Sequence, residues 1–179
     1  MTDTALAPRA IEIATRRRLT FLFTDIVGST EKLTLLGESV WLEALRGHNE
    51  VVQEAVDRFG GSTLKFLGDG WMVTFAAPRD AVDAAVRIQR VLCSDPSPDG
   101  FRVRIGIHSG AAVSESDDFV GKDVVLASRI TREAGPCEVL ASADVVDALG
   151  EDDLRFDGGR IAHLRGLGPH LVFGVHWAA

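Results

Sequence analysis

The first half of the chain alternates between strand-like and helix-like spacing of its apolar residues. Leu19–Phe23 is almost wholly apolar and predicts a buried strand that ends at Asp25. In the segment that follows, Ser29 or Thr30 is placed to cap the start of a helix. Apolar residues then recur at helical spacing over Glu38–Phe59, and a Gly-Gly pair follows. These patterns predict a strand followed by helical structure.

Two short β-type runs form the next feature of the chain. Thr63–Leu67 and Trp71–Phe75 are joined by a Gly-Asp-Gly segment centred on Asp69. An Asp-Gly step between two such runs is typical of a tight β-hairpin turn. The sequence therefore predicts an antiparallel hairpin with Asp69 in its turn.

The second half of the chain mixes shorter helices and strands. Helical spacing falls at 80–92, 120–134 and 142–149, the last capped by Ser142, and strand-like runs fall at 101–107, 138–141, 154–156 and 171–176. The order β-α-α-β-β-α-β, followed by a smaller α/β tail, predicts an α/β fold. We expect one domain over 18–179, with 1–17 as an N-terminal tail or lead-in segment.

Length, charge and cysteine spacing narrow the class of protein. The chain has 179 residues, which suits one domain, and its net charge of −7 argues against nucleic acid as the main partner. No apolar run approaches the roughly 20 residues that cross a bilayer, so no membrane partner is expected. Cys93 and Cys137 lack metal-binding spacing, and we expect free buried thiols in a reducing cytoplasm.

Two acidic residues fall at the ends of predicted strands. If the strands are neighbours, Asp25 and Asp69 project their carboxylates from the same end of a sheet. Two close carboxylates repel unless a cation neutralises them, and hard oxygen ligands suit Mg²⁺ or Mn²⁺. Two such ions can activate an attacking hydroxyl and stabilise a leaving phosphate. The alternative is that Asp69 serves only the turn and Asp25 only terminates a strand.

Five segments carry a resemblance to a known family. They are Phe23–Thr30 (FTDIVGST), Lys65–Asp69 (KFLGD), Arg102–Gly110 (RVRIGIHSG), Asp118–Gly121 with Ala127–Arg129 (DFVG and ASR), and His163–Gly166 (HLRG). Together they resemble the motifs of class III nucleotidyl cyclases, in that family's order and spacing. The short segment between Gly110 and Asp118 resembles the abbreviated arm of the bacterial subclass IIIc.

The resemblance implies a metal-binding and phosphate-binding end of the site. Asp25 and Asp69 would hold two divalent metal ions, Mg²⁺ or Mn²⁺, with the Ile26 carbonyl as a further ligand. The backbone N–H groups of Gly28-Ser29-Thr30 would approach phosphate oxygens at a helix start. A simple helix cap is the plainer interpretation of that segment, and both can hold.

The resemblance also implies which groups meet the base and the phosphates. Lys65 and Asp118 match the family's purine-selecting pair, in which the Lys donates to adenine N1 and the carboxylate accepts from the exocyclic amine. Guanine inverts that pattern, so the pair would oppose it. Arg104 and Arg165 would contact the triphosphate, and Arg129 would stabilise charge that develops on the transferred phosphate.

One position departs from the family pattern. The family commonly has Asn four residues before the transition-state Arg, and this chain has Val125 there. Valine cannot orient a ribose by hydrogen bonding. Either another group substitutes or turnover is slow.

The expected architecture is a ferredoxin-like palm with a small α/β extension. The same resemblance implies that two subunits pack head to tail as a homodimer. ATP would be converted to cyclic AMP and pyrophosphate at sites that the two subunits share. Asp25, Asp69 and Arg104 would come from one subunit; the other would contribute Lys65, Asp118, Arg129 and Arg165.

Two rival interpretations belong to other functional classes. A silent nucleotide-binding or dimerisation module would explain Val125 as a sign of decay, although the charged site residues are all present. A diguanylate cyclase or polymerase-type palm shares the hairpin carboxylate, but it does not explain Lys65 with Asp118. We expect His108 to be a satisfied strand-end histidine rather than a base.

Overall fold

The computed structural model describes residues 16–94, 101–115, 118–150 and 156–178. Within them the strands are β1 (Arg16–Ile26), β2 (Ser62–Phe66), β3 (Trp71–Phe75), β4 (Val103–Glu115), β5 (Asp118–Val120), β6 (Val139–Ser142), β7 (Arg160–Leu164) and β8 (Gly168–Gly174). The helices are α1 (Ser29–Leu36), α2 (Glu38–Arg58), α3 (Pro78–Leu92), α4 (Lys122–Glu133) and α5 (Ala143–Leu149). Of the predicted N-terminal tail or lead-in segment over 1–17, residues 1–15 lie outside the described residues, and Arg16 and Arg17 belong to β1.

All the strands join one mixed sheet with the order β2-β3-β1-β4-β6-β8-β7, and β5 pairs with β4. Neighbours are antiparallel except for β4 and β6, which run parallel. The fold is therefore the mixed α/β architecture expected from the sequence, and its central strands β1 and β4 pair along their whole common length.

The central strand β1 is buried on both faces of the sheet. Leu22 packs with α2 and α3 in the main hydrophobic core, while Phe21 and Phe23 pack on the opposite face beside α4. Near-continuous apolar sequence is what a strand covered on both faces requires. Leu22 and Phe21 are both fully buried, which confirms the prediction of a buried strand at this position.

The helices divide between the two faces according to their apolar stripes. The stripes of α2, α3 and α5 cover one face and meet at residues such as Val56, Ile88 and Val145. On the other face, α4 presents Ala127 to the β1 side and Ile130 to the β7–β8 side. In the described ranges, no helix combines the length and apolarity needed to cross a bilayer.

The predicted hairpin is confirmed. Strands β2 and β3 are antiparallel, and Leu67 N–H donates to the Gly70 carbonyl at 2.8 Å to close the turn around Asp69. A Cβ added at Gly70 would collide with the Thr24 carbonyl, so only glycine lets the turn approach the end of β1 this closely.

Two strands were missed by the sequence analysis. Strand β5 (Asp118–Val120) is only three residues long and ends at Val120, the residue at which the sequence predicted a helix to begin. Strand β7 pairs with β8 through the tight turn at Arg165, and it lies where a motif, not a strand, was identified. The predicted strand over 154–156 is described only at Phe156, which forms an isolated bridge to Val175.

The cysteine prediction was wrong. Cys93 and Cys137 form a disulfide with their Cα atoms 5.9 Å apart, and no described cysteine is free. Cys93 caps the end of α3 and Cys137 immediately precedes the segment entering β6. They are 44 residues apart in sequence, and only the packing of α3 against the sheet brings them together, which residue spacing does not reveal.

Candidate active site

The two acidic residues singled out from the sequence lie at one end of neighbouring strands. Asp25 is the penultimate residue of β1, and Asp69 lies in the turn before β3, which pairs with β1. The Ile26 N–H donates to the Asp69 carbonyl at 3.2 Å, tying the turn to the strand end. The fold therefore brings both carboxyl-bearing residues to the same end of the sheet.

The hydroxyl of Ser29 serves Asp69 rather than a helix end. Its Oγ donates to Asp69 Oδ2 at 2.5 Å, and no side chain caps α1. The N-cap of α1 is instead Gly28, which has a left-handed φ of 67°. The expectation that Ser29 or Thr30 caps the helix was wrong because a glycine turn supplies the start, leaving the hydroxyl available to orient the carboxylate.

Arg104 lies beside Asp25 because β4 and β1 place the two residues opposite one another in the register. Its Nε donates to Asp25 Oδ2 at 2.5 Å, its Nη2 contacts the same oxygen, and its Nη1 donates to the Arg132 carbonyl at 3.3 Å. The side chains of Arg104 and Asp25 are 28% and 24% exposed, so water still reaches the pair. The guanidinium therefore fixes one carboxylate oxygen in orientation.

A buried histidine that the sequence analysis missed lies behind this end of the sheet. His48 is 1% exposed, its Nδ1 lies 3.0 Å from Asn49 Oδ1, and that amide oxygen also accepts from Trp71 Nε1 at 2.9 Å. Burial lowers the pKa of His48, while the Asn49 hydrogen bond and the Asp69 charge act in the opposite direction. One sequence signal could have indicated that His48 is buried: it lies one helical turn before Val52, on the apolar face of α2.

The proposed base-selecting pair comes together in the fold. Lys65 on β2 donates from Nζ to Asp118 Oδ2 on β5 at 3.2 Å, although the residues are 53 positions apart. Their side chains are 56% and 41% exposed. The β4–β5 arm reaches back across the sheet face, where Phe119 packs beside Leu64 in the same cluster as Phe21. A donor and an acceptor therefore stand side by side at an open surface.

Helix α4 carries the arginine expected to act on the transferred phosphate. Arg129 Nε is buried, and within the described residues it has no hydrogen-bond partner. Val125, one turn earlier on the helix, is 45% exposed and so is not part of the core. Arg165 is exposed in the β7–β8 turn, at the end of a strand whose Leu164 packs in the cluster that holds Ile130 of α4.

His108 differs from its expected role as a satisfied histidine at a strand end. It lies in the middle of β4 and is 3% exposed. Its Nδ1 is 2.8 Å from Ser142 Oγ, but within the described residues its buried Nε2 has no hydrogen-bond partner. Burial lowers the pKa of His108, while Asp144 and Asp123 act to raise it. The ring is therefore only half satisfied.

The oxygen donors at the strand ends fit a hard divalent cation shared with a substrate. Across the described ranges, no three or more His, Cys, Asp and Glu side chains are grouped to hold a metal ion. Mg²⁺ commonly uses one or two carboxylates and takes its other ligands from water and substrate phosphates. Asp25 and Asp69 supply that pattern, and the arrangement suits two-carboxylate binding rather than an all-protein metal cage.

Trp41 and Trp71 are packing residues. Trp41 stacks on Phe101 with ring centroids 5.3 Å apart, and Trp71 lies 5.0 Å from Phe66. Both tryptophans pack against the main core. Neither therefore offers a free platform for a base.

A family model and a relative that match this chain both belong to the nucleotide cyclases. Residues 11–176 match the model of the adenylate and guanylate cyclase catalytic domain. The chain is 35% identical over 140 residues to a pH-sensitive adenylate cyclase, MT1302, of Mycobacterium tuberculosis, covering 75% of this chain and 33% of that protein. It thus spans about a third of that relative's length.

Solved structures share the fold. The guanylyl cyclase Cya2 superposes with a TM-score of 0.81 at 23% identity, over 90% of this chain and 93% of the other. The adenylyl cyclase CyaB from P. aeruginosa superposes with a TM-score of 0.76 at 23% identity, over 93% and 97%. At this identity the superpositions establish the architecture and not the choice of nucleotide.

Proposed function

Because the chain belongs to the adenylate and guanylate cyclase catalytic domain family, class III, we propose that it is an adenylate cyclase. It would convert ATP to cyclic AMP and pyrophosphate as a homodimer with two divalent metal ions. The observation that carries the choice of ATP is the contact between Lys65 and Asp118 at 3.2 Å.

The paired donor and acceptor suit adenine. Lys65 Nζ can donate to ring N1, and the Asp118 carboxylate can accept from the 6-amino group. Guanine presents a donor at N1 and an acceptor at position 6, so both contacts would be mismatched. Each unpaired buried group would cost about 1–3 kcal/mol. Since both side chains are partly exposed, a base can reach them by displacing water and opening their mutual contact.

The strand-end carboxylates are the proposed metal ligands. Asp25 and Asp69, with the Ile26 carbonyl, would hold Mg²⁺ or Mn²⁺, which would acidify the ribose 3′-hydroxyl and neutralise charge on the phosphates. Two contacts prepare them for that role. Arg104 fixes an oxygen of Asp25, and Ser29 fixes an oxygen of Asp69. Orienting the carboxylates in advance reduces the reorganisation needed when substrate binds.

Positively charged groups and backbone amides are proposed to receive the triphosphate. Arg104 lies next to Asp25 and can turn its guanidinium towards phosphate oxygens. The N–H groups from Gly28 to Thr30 open helix α1, where backbone donors favour anions. Arg165 would add a further positive charge from the β7–β8 turn.

The reaction then needs a donor at the transferred phosphate. The ribose 3′-oxygen forms a bond to the α-phosphorus, the bond to the bridging oxygen breaks, pyrophosphate leaves and the hydroxyl proton is released. Arg129 is proposed to stabilise the charge that develops on the phosphate. Its buried Nε without a partner in the described chain supports a role for an incoming anion.

We propose that the site is shared between two subunits, as the resemblance to the family implies. Asp25, Asp69 and Arg104 would come from one subunit, and Lys65, Asp118, Arg129 and Arg165 from its partner. Closed homodimers repeat the same interface twice, so each dimer would contain two equivalent sites.

A second candidate function is a silent nucleotide-binding module. Val125 favours it, because an exposed valine offers no hydrogen bond where the family commonly uses Asn to orient the ribose. In that case the chain would bind ATP with the same residues but release it unchanged.

The test is a cyclase assay on the purified chain with ATP or GTP and with Mg²⁺ or Mn²⁺. Nucleotide binding is measured by calorimetry under the same conditions. We expect cyclic AMP to form, with a higher kcat/KM for ATP than for GTP. ATP binding without product in either metal would favour the silent module, whereas equal kcat/KM for both nucleotides would remove Lys65 and Asp118 from the argument.

A further inference from the structure

The helix that carries Arg129 approaches β4 over two glycines with a histidine between them. A Cβ added at Gly106 would collide with Thr131 of α4, and one added at Gly110 would collide with the Asp123 carboxylate. Alternate residues of a strand share a face, so His108 lies on the same side as these glycines. Its imidazole is therefore beneath α4.

Three elements meet at this imidazole. Its Nδ1 is 2.8 Å from Ser142 Oγ at the end of β6 and 3.7 Å from Asp144 Oδ2 in the first turn of α5. Its Nε2 is 3.7 Å from Asp123 Oδ1 in the first turn of α4. That carboxylate already accepts from the Ala111 N–H through Oδ2 at 2.6 Å. Both carboxylates are too far from the ring to form hydrogen bonds with it.

The surroundings oppose a positive charge on the ring more than they favour it. Burial is the largest influence and lowers the pKa of His108; Asp144 and Asp123 raise it, and Arg18 of β1 lowers it. A group whose pKa is lower when buried than when hydrated binds its proton preferentially in the hydrated state. Protonation must therefore favour conformations in which water reaches His108.

The way to admit water is to separate α4 from β4, because the helix covers the glycine-flanked face. We propose that His108 is a pH-responsive positioning residue: its protonation loosens α4 from β4, moves Arg129 from its place and lowers cyclase activity at acidic pH. The effect on activity rests on the proposed function, but the loosening of α4 does not.

Two charged neighbours permit a test with opposite signs. Asp144→Asn removes a carboxylate that favours the protonated ring, so the transition should move to lower pH. Arg18→Gln removes a positive charge that opposes protonation, so the transition should move to higher pH. Asp147→Asn, an exposed carboxylate on the same helix α5, is the matched control and should leave the midpoint unchanged. His108→Gln should abolish the transition.

The primary readout is hydrogen exchange of the peptide Lys122–Glu133, measured from pH 5 to 8. The rates are corrected for the intrinsic dependence of amide exchange on pH. This measurement does not depend on catalytic activity. In the unmodified chain, the opening of α4 should increase by up to about tenfold for each pH unit between the ordinary histidine pKa of about 6.5 and the lowered pKa of the buried ring, and should level off below it, as a single proton requires. Should His108→Gln fail to fold, the Asp144 and Arg18 substitutions still decide the question. Exchange that does not change with pH, or midpoints that move in the same direction for both variants, would overturn the proposal.

The second readout is the pH profile of kcat in the same variants. The acid limb should follow the exchange midpoint in each. An acid limb that stays fixed while the exchange midpoint moves would remove the link to activity. A chain that makes no cyclic nucleotide at any pH would refute the proposed function, while the exchange data would still decide whether His108 controls α4.

Discussion

At the end of β1, the charged side chains already have partners from the same chain, whereas on α4 a charged donor has none in the described residues. Asp25 is held by Arg104 and Asp69 by Ser29. Arg129 Nε, in contrast, is buried without an acceptor. In the first region the chain itself supplies the partners of the charged side chains, and in the second the described residues supply no acceptor for the buried donor.

The difference indicates what each region requires. A buried donor that lacks an acceptor costs about 1–3 kcal/mol, so retaining one is reasonable where an anion arrives from outside. Asp25, in contrast, needs only to exchange one cation for another, and Asp69 is held by a neutral hydroxyl that a cation need not replace. This contrast is what the proposed shared site would produce, with the carboxylate end and the α4 surface as its complementary halves.

The largest expected effect is at the carboxylate end. Asp25→Ala or Asp69→Ala should lower kcat at least about a thousandfold, while circular dichroism and the dimer mass stay unchanged because neither side chain lies in the core. Asp147→Ala, which removes an exposed carboxylate of α5, is the control and should retain full activity. Near-normal turnover of either Asp25 or Asp69 variant in Mn²⁺ would contradict the two-metal site.

Next in size is the loss at Arg129. Arg129→Ala should lower kcat about a hundredfold with little change in KM, since the proposed interaction forms in the transition state. Its melting temperature should stay the same or rise, because the substitution removes an unpaired buried donor. Arg132→Ala, on an exposed position of the same helix, is the control. A large loss of stability without a loss of kcat would make Arg129 a structural residue.

A smaller effect concerns the base. Replacing Lys65 by Glu together with Asp118 by Gly should reduce the preference for ATP over GTP about tenfold to a hundredfold, as 1–3 kcal/mol of mismatch implies. Measuring kcat/KM for both nucleotides checks this. Lys122→Glu changes an exposed lysine of α4 and should leave the ratio alone. An unchanged ratio in the double variant would separate these residues from base selection.

The smallest effect comes from the two buried histidines, one near each region. Burial lowers the pKa of His48 and of His108. Between the lowered and the ordinary pKa, these histidines therefore bind protons in the unfolded chain but not in the folded chain. Stability should be greatest above the ordinary histidine pKa of about 6.5 and fall as pH drops from there towards the lowered values.

Thermal unfolding at pH 7.5 and 5.5 measures this loss, since about 1 kcal/mol corresponds to a Tm shift of roughly 2–4 °C in a domain of this size. His48→Gln or His108→Gln should each reduce the difference between the two pH values. His176→Gln replaces an exposed histidine and should not. A difference that is the same in all three variants would place the acid sensitivity elsewhere.

The carboxylate end was accessible to sequence analysis because its contacts are local in the sheet. Asp69 lies in a turn that an Asp-Gly step predicts, and Asp25 follows a strand that its apolar run predicts. The pairing of β1 with β3 then fixes the positions of Asp25 and Asp69 relative to each other. The Ser29 contact was not foreseen, because helix-cap propensity describes a hydroxyl near its own backbone and not one turned towards a neighbouring loop.

The α4 side was less accessible because its geometry depends on distant contacts. Strand β5 has three residues, too few for a period to appear. The state of His108 depends on Asp144 and Asp123, which come from two helices packed on different elements. The Cys93–Cys137 disulfide likewise depends on how α3 meets the sheet. In each case tertiary packing decides which residues come into contact, and the sequence pattern around a residue carries no information about that packing.

The central claim is that one active site uses both regions from different subunits, and mixing two inactive variants tests it directly. Asp25→Ala and Arg129→Ala should each retain at most about a hundredth of full activity alone. Random exchange makes about half of the dimers heterodimers, each with one site free of both substitutions, so the mixture should recover about a quarter of full activity. With subunit exchange demonstrated by mass spectrometry, a mixture that stays inactive would mean that the site is built within one chain.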